Sequence, residues 1–165
     1  MRRSGLPSLL LAAALAGCWP YGFAGGGLPE NIRTVAIVPF ENQTSSADLP
    51  AELYDALRRE MAGRLGVRFA PEGKADAVVR GTITRYDTDI PASYSANPNQ
   101  AVSARRRLEI AIDISIVDQT SGRTLWERKN LTADGEYAER AELEGRRQAV
   151  GKLVNSVIEG AQSQW

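Results

Sequence analysis

From Leu108 to Ile116 the chain reads Leu-Glu-Ile-Ala-Ile-Asp-Ile-Ser-Ile, with a large aliphatic at every second position and a small or charged residue between. A period of two puts all the aliphatics on one side of an extended strand, whereas a helix would scatter them around its axis. The fold must therefore contain a sheet with one core face and one face that is polar or meets a partner. Asp118-Gln119-Thr120-Ser121-Gly122 supplies turn chemistry, and Arg123 to Thr132 is predicted to return as the hairpin partner. Residues Thr124 to Leu131 do not alternate cleanly, so their register stays open. An edge position would account for their charges.

Two helices are available to cover that sheet. Leu49, Leu53, Leu57, Met61 and Leu65 recur every fourth residue behind Asp48-Leu49-Pro50, a capping residue with proline in the first turn, and Gly66 is the predicted stop. From Glu139 the composition again becomes helical, and Ala149, Val150, Leu153, Val154, Val157, Ile158, Ala161 and Trp165 form one stripe. Its charged first turns, Glu139 to Gln148, are expected to project past the core. Arg33 to Phe40 is predicted as the first strand, with Pro39 placing its end at an edge or bulge. Val67 to Ala70 can form a short strand, Pro71 to Lys74 a turn, and Ala77 to Tyr86 the next strand. Ser93 to Asn99 is a loop. The order gives an α+β two-layer sandwich, a mixed sheet of four to five strands with two helices on one face.

The amino terminus sets where this domain works. Arg2 and Arg3 precede an apolar run from Leu6 to Leu15 that is too short to span a bilayer, followed by Leu15-Ala16-Gly17-Cys18. That is a bacterial lipobox. Residues 1–17 are expected to be removed as a lipoprotein signal peptide and Cys18 to carry the lipid; two or more acyl chains make such an anchor stable. Residues 18–31, with three aromatics, four glycines and two prolines, read as a lipidated tether with a docked aromatic end. Residues 32–165 form one domain.

Cys18 is the chain's one cysteine, and there is no histidine. Disulfide frameworks, cysteine-ligated zinc, imidazole metal sites and Ser-His-Asp catalysis all drop out. No enzyme, cofactor or metal is expected. Removal of Arg2 and Arg3 leaves a slight acidic excess over an otherwise balanced 20 and 20, so composition gives no sign of nucleic-acid binding.

Several pieces in order resemble the lipopolysaccharide-assembly lipoproteins called LptE: Tyr21-Gly22-Phe23 beside the lipid cysteine, Leu28-Pro29-Glu30-Asn31-Ile32-Arg33-Thr34-Val35, Pro39-Phe40-Glu41-Asn42-Gln43-Thr44, Ala75-Asp76-Ala77-Val78-Val79-Arg80-Gly81, Pro91-Ala92-Ser93-Tyr94, the Arg107 to Ile116 strand and Asp118 to Gly122. The inserted Trp19-Pro20 and the run Gly25-Gly26-Gly27 depart from that pattern. The resemblance implies a non-enzymatic lipoprotein at the periplasmic face of the outer membrane, lipid-anchored, which supports an LptD-type β-barrel and helps deliver lipopolysaccharide. Trp19 after the cysteine is compatible with outer-membrane sorting. The Val35 to Thr44 stretch with its following helix also resembles regulators of cell-wall synthases and the TolB and curli-secretion domains, an alternative role.

Arg105, Arg106 and Arg107 are the densest basic run of the mature chain. Arg105 and Arg107 are expected on the face of Glu109 and Asp113, away from the isoleucines, while Arg106 is in phase with the core at a strand end. One reading is a solvated strand end that resists edge pairing. In the other, implied by the resemblance, Arg105 and Arg107, with Lys129 or Arg128 from the neighbouring strand, grip lipopolysaccharide phosphates, for which guanidinium forks are suited.

Overall fold

The structure, a computed structural model, describes residues 28–91 and 105–163. Cys18, the tether up to Gly27 and the loop from Ser93 to Asn99 lie outside the described residues. Strands β1 (Thr34–Ile37), β2 (Glu41–Asn42), β3 (Arg68–Phe69), β4 (Ala77–Pro91), β5 (Arg106–Asp118) and β6 (Thr124–Tyr137) form one mixed sheet, with helices α1 (Leu49–Leu65) and α2 (Glu142–Gln162). Its order is β3-β1-β4-β5-β6, with β2 also on β4. β1 is parallel to β3 and β4, and β4, β5 and β6 are antiparallel. This is the expected two-layer sandwich. The added strand arises because Pro39, which has no N–H to give, splits the predicted first strand, and pairing with β4 resumes at Glu41.

The alternation in β5 does what its period requires. Leu108, Ile110, Ile112, Ile114 and Ile116 are buried in one cluster with Leu49, Leu53, Leu57 and Met61 of α1 and with Leu153, Val154, Val157 and Ile158 of α2. Phe40 lies over Gly81, where a Cβ would come within 2.5 Å of the ring. Residues Glu41 to Ser46 are organised by Asn42. Its Oδ1 accepts from the Thr44 N–H at 3.0 Å and hydroxyl at 2.7 Å, and its Nδ2 donates to the Ser46 carbonyl at 2.9 Å. Asp48 stands at the helix start but makes no side-chain cap. The turn chemistry that leads into α1 comes from Asn42 and Thr44 instead. Gly66 closes α1 in the left-handed conformation, φ 65°, as a glycine can without strain.

β6 is an edge strand, as its charges suggested, and runs beyond Thr132 to Tyr137. Two irregularities in its pairing with β5 explain why its sequence does not alternate cleanly. At one of them Ile112 faces Leu131 and Ile114 faces Arg128, so Lys129 and Asn130 together oppose Asp113. Asn130 adopts φ 49°, and its N–H donates to Asp113 Oδ1 at 2.7 Å. The first turns of α2 do not project. Gly145 is buried against Gly135 of β6, and Arg146 is mostly covered, because β4, β5 and β6 continue under them.

These contacts order two neighbouring substitutions. Ile112→Asp puts an unpartnered carboxylate into the core and is expected to cost about 3–5 kcal/mol, a large part of a domain's stability. Asp113→Ala removes one charge-assisted hydrogen bond at the bulge, for about 1–2 kcal/mol. Urea midpoints of the two variants check this, and equal values would mean that the sheet's faces are assigned the wrong way round.

Candidate functional site

The basic run stands at the end of the hairpin away from Asp118. Arg105 immediately precedes β5 and is 70% exposed, with Nη1 3.4 Å from Glu136 Oε2. Arg107 is exposed on the face turned from the helices and is paired in register with Glu136. Arg106 points to the other face, and its Nη2 lies 3.8 Å from Glu139 Oε1. Exposed ion pairs of this kind contribute about 0–1 kcal/mol, so a phosphate can compete for either outward guanidinium. Lys129 does not join them. It opposes Asp113, six positions along β5 and so roughly 20 Å from Arg107, and its Nζ is 4.0 Å from Glu127 Oε1.

At the opposite end, two of the pieces that carry the family resemblance prove to be structural locks. Asp76 Oδ2 accepts from the N–H groups of Arg33 and Thr34 and from the Thr34 hydroxyl, at 3.0, 2.8 and 2.8 Å, joining β1 to β4. Asp118 Oδ1 accepts from the N–H of Thr120 at 2.8 Å and Oδ2 from the Ser121 hydroxyl at 2.8 Å. Gln119 then bridges the two, its N–H donating to the Asp76 carbonyl at 2.8 Å. The Thr34 and Ser121 hydroxyls, followed by the backbone donors, hold the respective carboxyls below the usual aspartate range.

A third cluster was not foreseen from the sequence. Arg146 of α2 donates to Glu52 Oε1 of α1 at 2.6 Å and to Ser46 Oγ at 3.5 Å, and Tyr86 of β4 donates to Glu142 Oε1 at 2.5 Å. Burial and the Glu142 carboxylate push the Tyr86 hydroxyl well above its ordinary pKa. Burial opposes the charge on Arg146, but Glu52 outweighs it and raises the guanidinium further. The cluster ties both helices to the sheet. Its members lie 94 and 56 residues apart, and no local pattern announces them. Among the described residues no three carboxylates stand together as a metal cage.

The fold and its locks define a class, the open α+β sandwich in which a mixed sheet carries two helices on one face. Among solved structures, protein XCC0632 from Xanthomonas campestris is similar at a TM-score of 0.55, with 9% identity and 84% of this chain and 90% of that chain covered. The PelC dodecamer from Paraburkholderia phytofirmans is similar at 0.54, with 18% identity over 83% and 93%. A minor lipoprotein from Acinetobacter baumannii gives 0.50, with 16% identity over 82% and 94%. At such identities the likeness speaks for the fold alone. No curated protein matches the chain. Residues 32–157 match the model of the lipopolysaccharide-assembly family LptE, and the chain belongs to that family.

The locks carry a pH signature. A depressed carboxyl pKa gives stability that is present above the unfolded value, about 3.9, and is lost as the pH falls through the folded one. Thermal midpoints should therefore drop steeply below about pH 4. Asp76→Asn combined with Asp118→Asn should lower the midpoint at neutral pH and flatten that acid slope; a slope as steep as in the parent would assign it to other carboxylates.

Proposed function

We propose that the protein is a lipoprotein of the outer membrane, fixed at its periplasmic face through Cys18, which holds an LptD-type β-barrel and assists lipopolysaccharide assembly without catalysing a reaction. The observation that carries this reading is membership of the lipopolysaccharide-assembly family across residues 32–157. The surface supports it. The helix-free face bears Arg80, Thr82, Arg85, Glu109 and Ser115, a polar set of the kind that suits the water-lined interior of a barrel. The free edge of β6 adds a second surface for a partner. Family membership over nearly the whole domain favours this role over regulation of a cell-wall synthase or a secretion function of the TolB and curli type.

Purification in mild detergent from the native membrane should bring down one large β-barrel protein at equal stoichiometry, with acyl chains on Cys18 by mass spectrometry. Cys18→Ser should leave the protein as precursor or release it from the membrane. Capture of a cell-wall synthase instead would move the protein to the other role.

Within this reading, Arg105 and Arg107 hold phosphates of lipopolysaccharide, and Lys129 stands too far away to share that contact. Arg105→Glu with Arg107→Glu should weaken binding at least about tenfold at low salt, the loss shrinking as salt rises, given that a charge-assisted hydrogen bond is worth about 1.5–3 kcal/mol. Folding and barrel capture should be unchanged, since both side chains are solvated. Equal binding by the folded double variant would return the run to a solvated strand end.

A further inference from the structure

Helices α1 and α2 lie side by side and run in the same direction. Arg146 meets Glu52 near their starts, and Arg64 donates to Asn155 Oδ1 at 2.7 Å further along. On the side away from the sheet they leave an open trough of about 580 Å³, with Ala56, Val150, Gly151 and Val154 among its lining residues and Arg59 and Arg147 contributing cations. Leu143, which also lines it, is 47% exposed, the large apolar side chain left most open among the described residues.

The chain enters the domain where these helices finish. Leu28 packs against the main core, the Asn31 side chain helps to hold down the pKa of Asp118, and the Arg33 carbonyl accepts from the N–H of Arg68, three residues past the end of α1. Before Leu28 come ten residues from Cys18 with no charge among them. Trp19, Tyr21 and Phe23 alternate there with Pro20, Gly22 and Ala24, so in an extended segment all three rings share one face.

We propose that this stretch folds back and seats Trp19, Tyr21 and Phe23 in the trough between α1 and α2. The dimensions agree. Phe23 to Leu28 reaches about 17 Å when extended, and Ala56 lies roughly 14 Å back along α1 from Leu65. The three rings span about 13 Å, within the roughly 18 Å from Asn155 to Leu143. Gly25, Gly26 and Gly27 leave the backbone free to follow the helix surface, an uncharged strip meets no like charge on the mixed rim, and Arg59 and Arg147 can lie over aromatic faces. Docked in this way, the tether would carry Cys18 along the helix layer toward Leu143 and hold the helix side of the domain toward the bilayer. The inference does not depend on the barrel partner.

Disulfide trapping in the full chain tests it. With Cys18→Ser removing the native thiol, Tyr21→Cys is combined with Gly151→Cys, whose side chain enters open space, or with Arg80→Cys on the exposed helix-free face. Under mild oxidation the bond within one chain between positions 21 and 151 should form at least ten times faster than that between 21 and 80. Trp19→Ala with Phe23→Ala should remove the difference while leaving the thermal midpoint of the domain in place. Comparable rates for the two pairs, or 21-to-151 bonds formed between molecules, would overturn the assignment.

Discussion

Helix α2 can lie flat on the β5–β6 hairpin only because glycines stand where the two approach. A Cβ on Gly135 would fall 1.8 Å from the Gly145 carbonyl oxygen, and one on Gly160 would meet the Trp126 indole at 2.5 Å. At one end, then, backbone meets backbone; near the other, an aromatic ring fills the space that a side chain would have occupied. Between them Ala149, Leu153 and Val157 are fully buried, as is Ala161 just beyond. The isoleucine face of β5 is dry because this helix is close, and the edge strand β6 is held along its inner face for the same reason. Dense packing of this sort transmits any change of volume to its neighbours.

Features governed by local periodicity were legible in the sequence. Four-residue spacing suffices for α1, and strict alternation suffices for β5, because each places its apolar side chains on one face whatever else the chain does. The register of β6 was not legible, since it depends on a bulge created by Asp113 and Asn130, two residues that meet only after the hairpin forms. The first turns of α2 look solvent-bound in sequence because they are charged. Arg146 is nevertheless largely covered, its charge met by Glu52 from the other helix. Asp48 shows the reverse case: a good capping residue makes no cap where Asn42 and Thr44 already organise the turn.

The pieces that gave the family resemblance divide along physical lines. Asp76, Asp118 and Gln119 fasten β1, β4 and β5 to one another, Phe40 fills the space above Gly81, and Asn42 shapes the approach to α1. These residues specify the sandwich, and a ligand does not need them directly. The arginines at the far tip perform no such task. Arg105 and Arg107 are bound to the fold by little more than a shared acidic neighbour, Glu136. This is why the sequence disclosed the basic run but could not separate Lys129 from it: spacing along a strand is visible, while distance across a bulged hairpin is not.

The two ends of the molecule consequently have different physical characters. Where the chain enters, the carboxylates of Asp76 and Asp118 each accept several hydrogen bonds, which favour their ionised form and hold the strands and the turn together. Those two carboxylates are engaged within the fold, between strands and inside the turn. At the other end, the length of β5 away and so about 40 Å, arginines and glutamates meet in solvent, where each pair is weak and open to exchange. A surface of weak, opposed charges can give up one partner for another at small cost, provided that the newcomer satisfies the same guanidinium. A phosphate does so with more charge than a single carboxylate, and the strands beneath need not move to admit it.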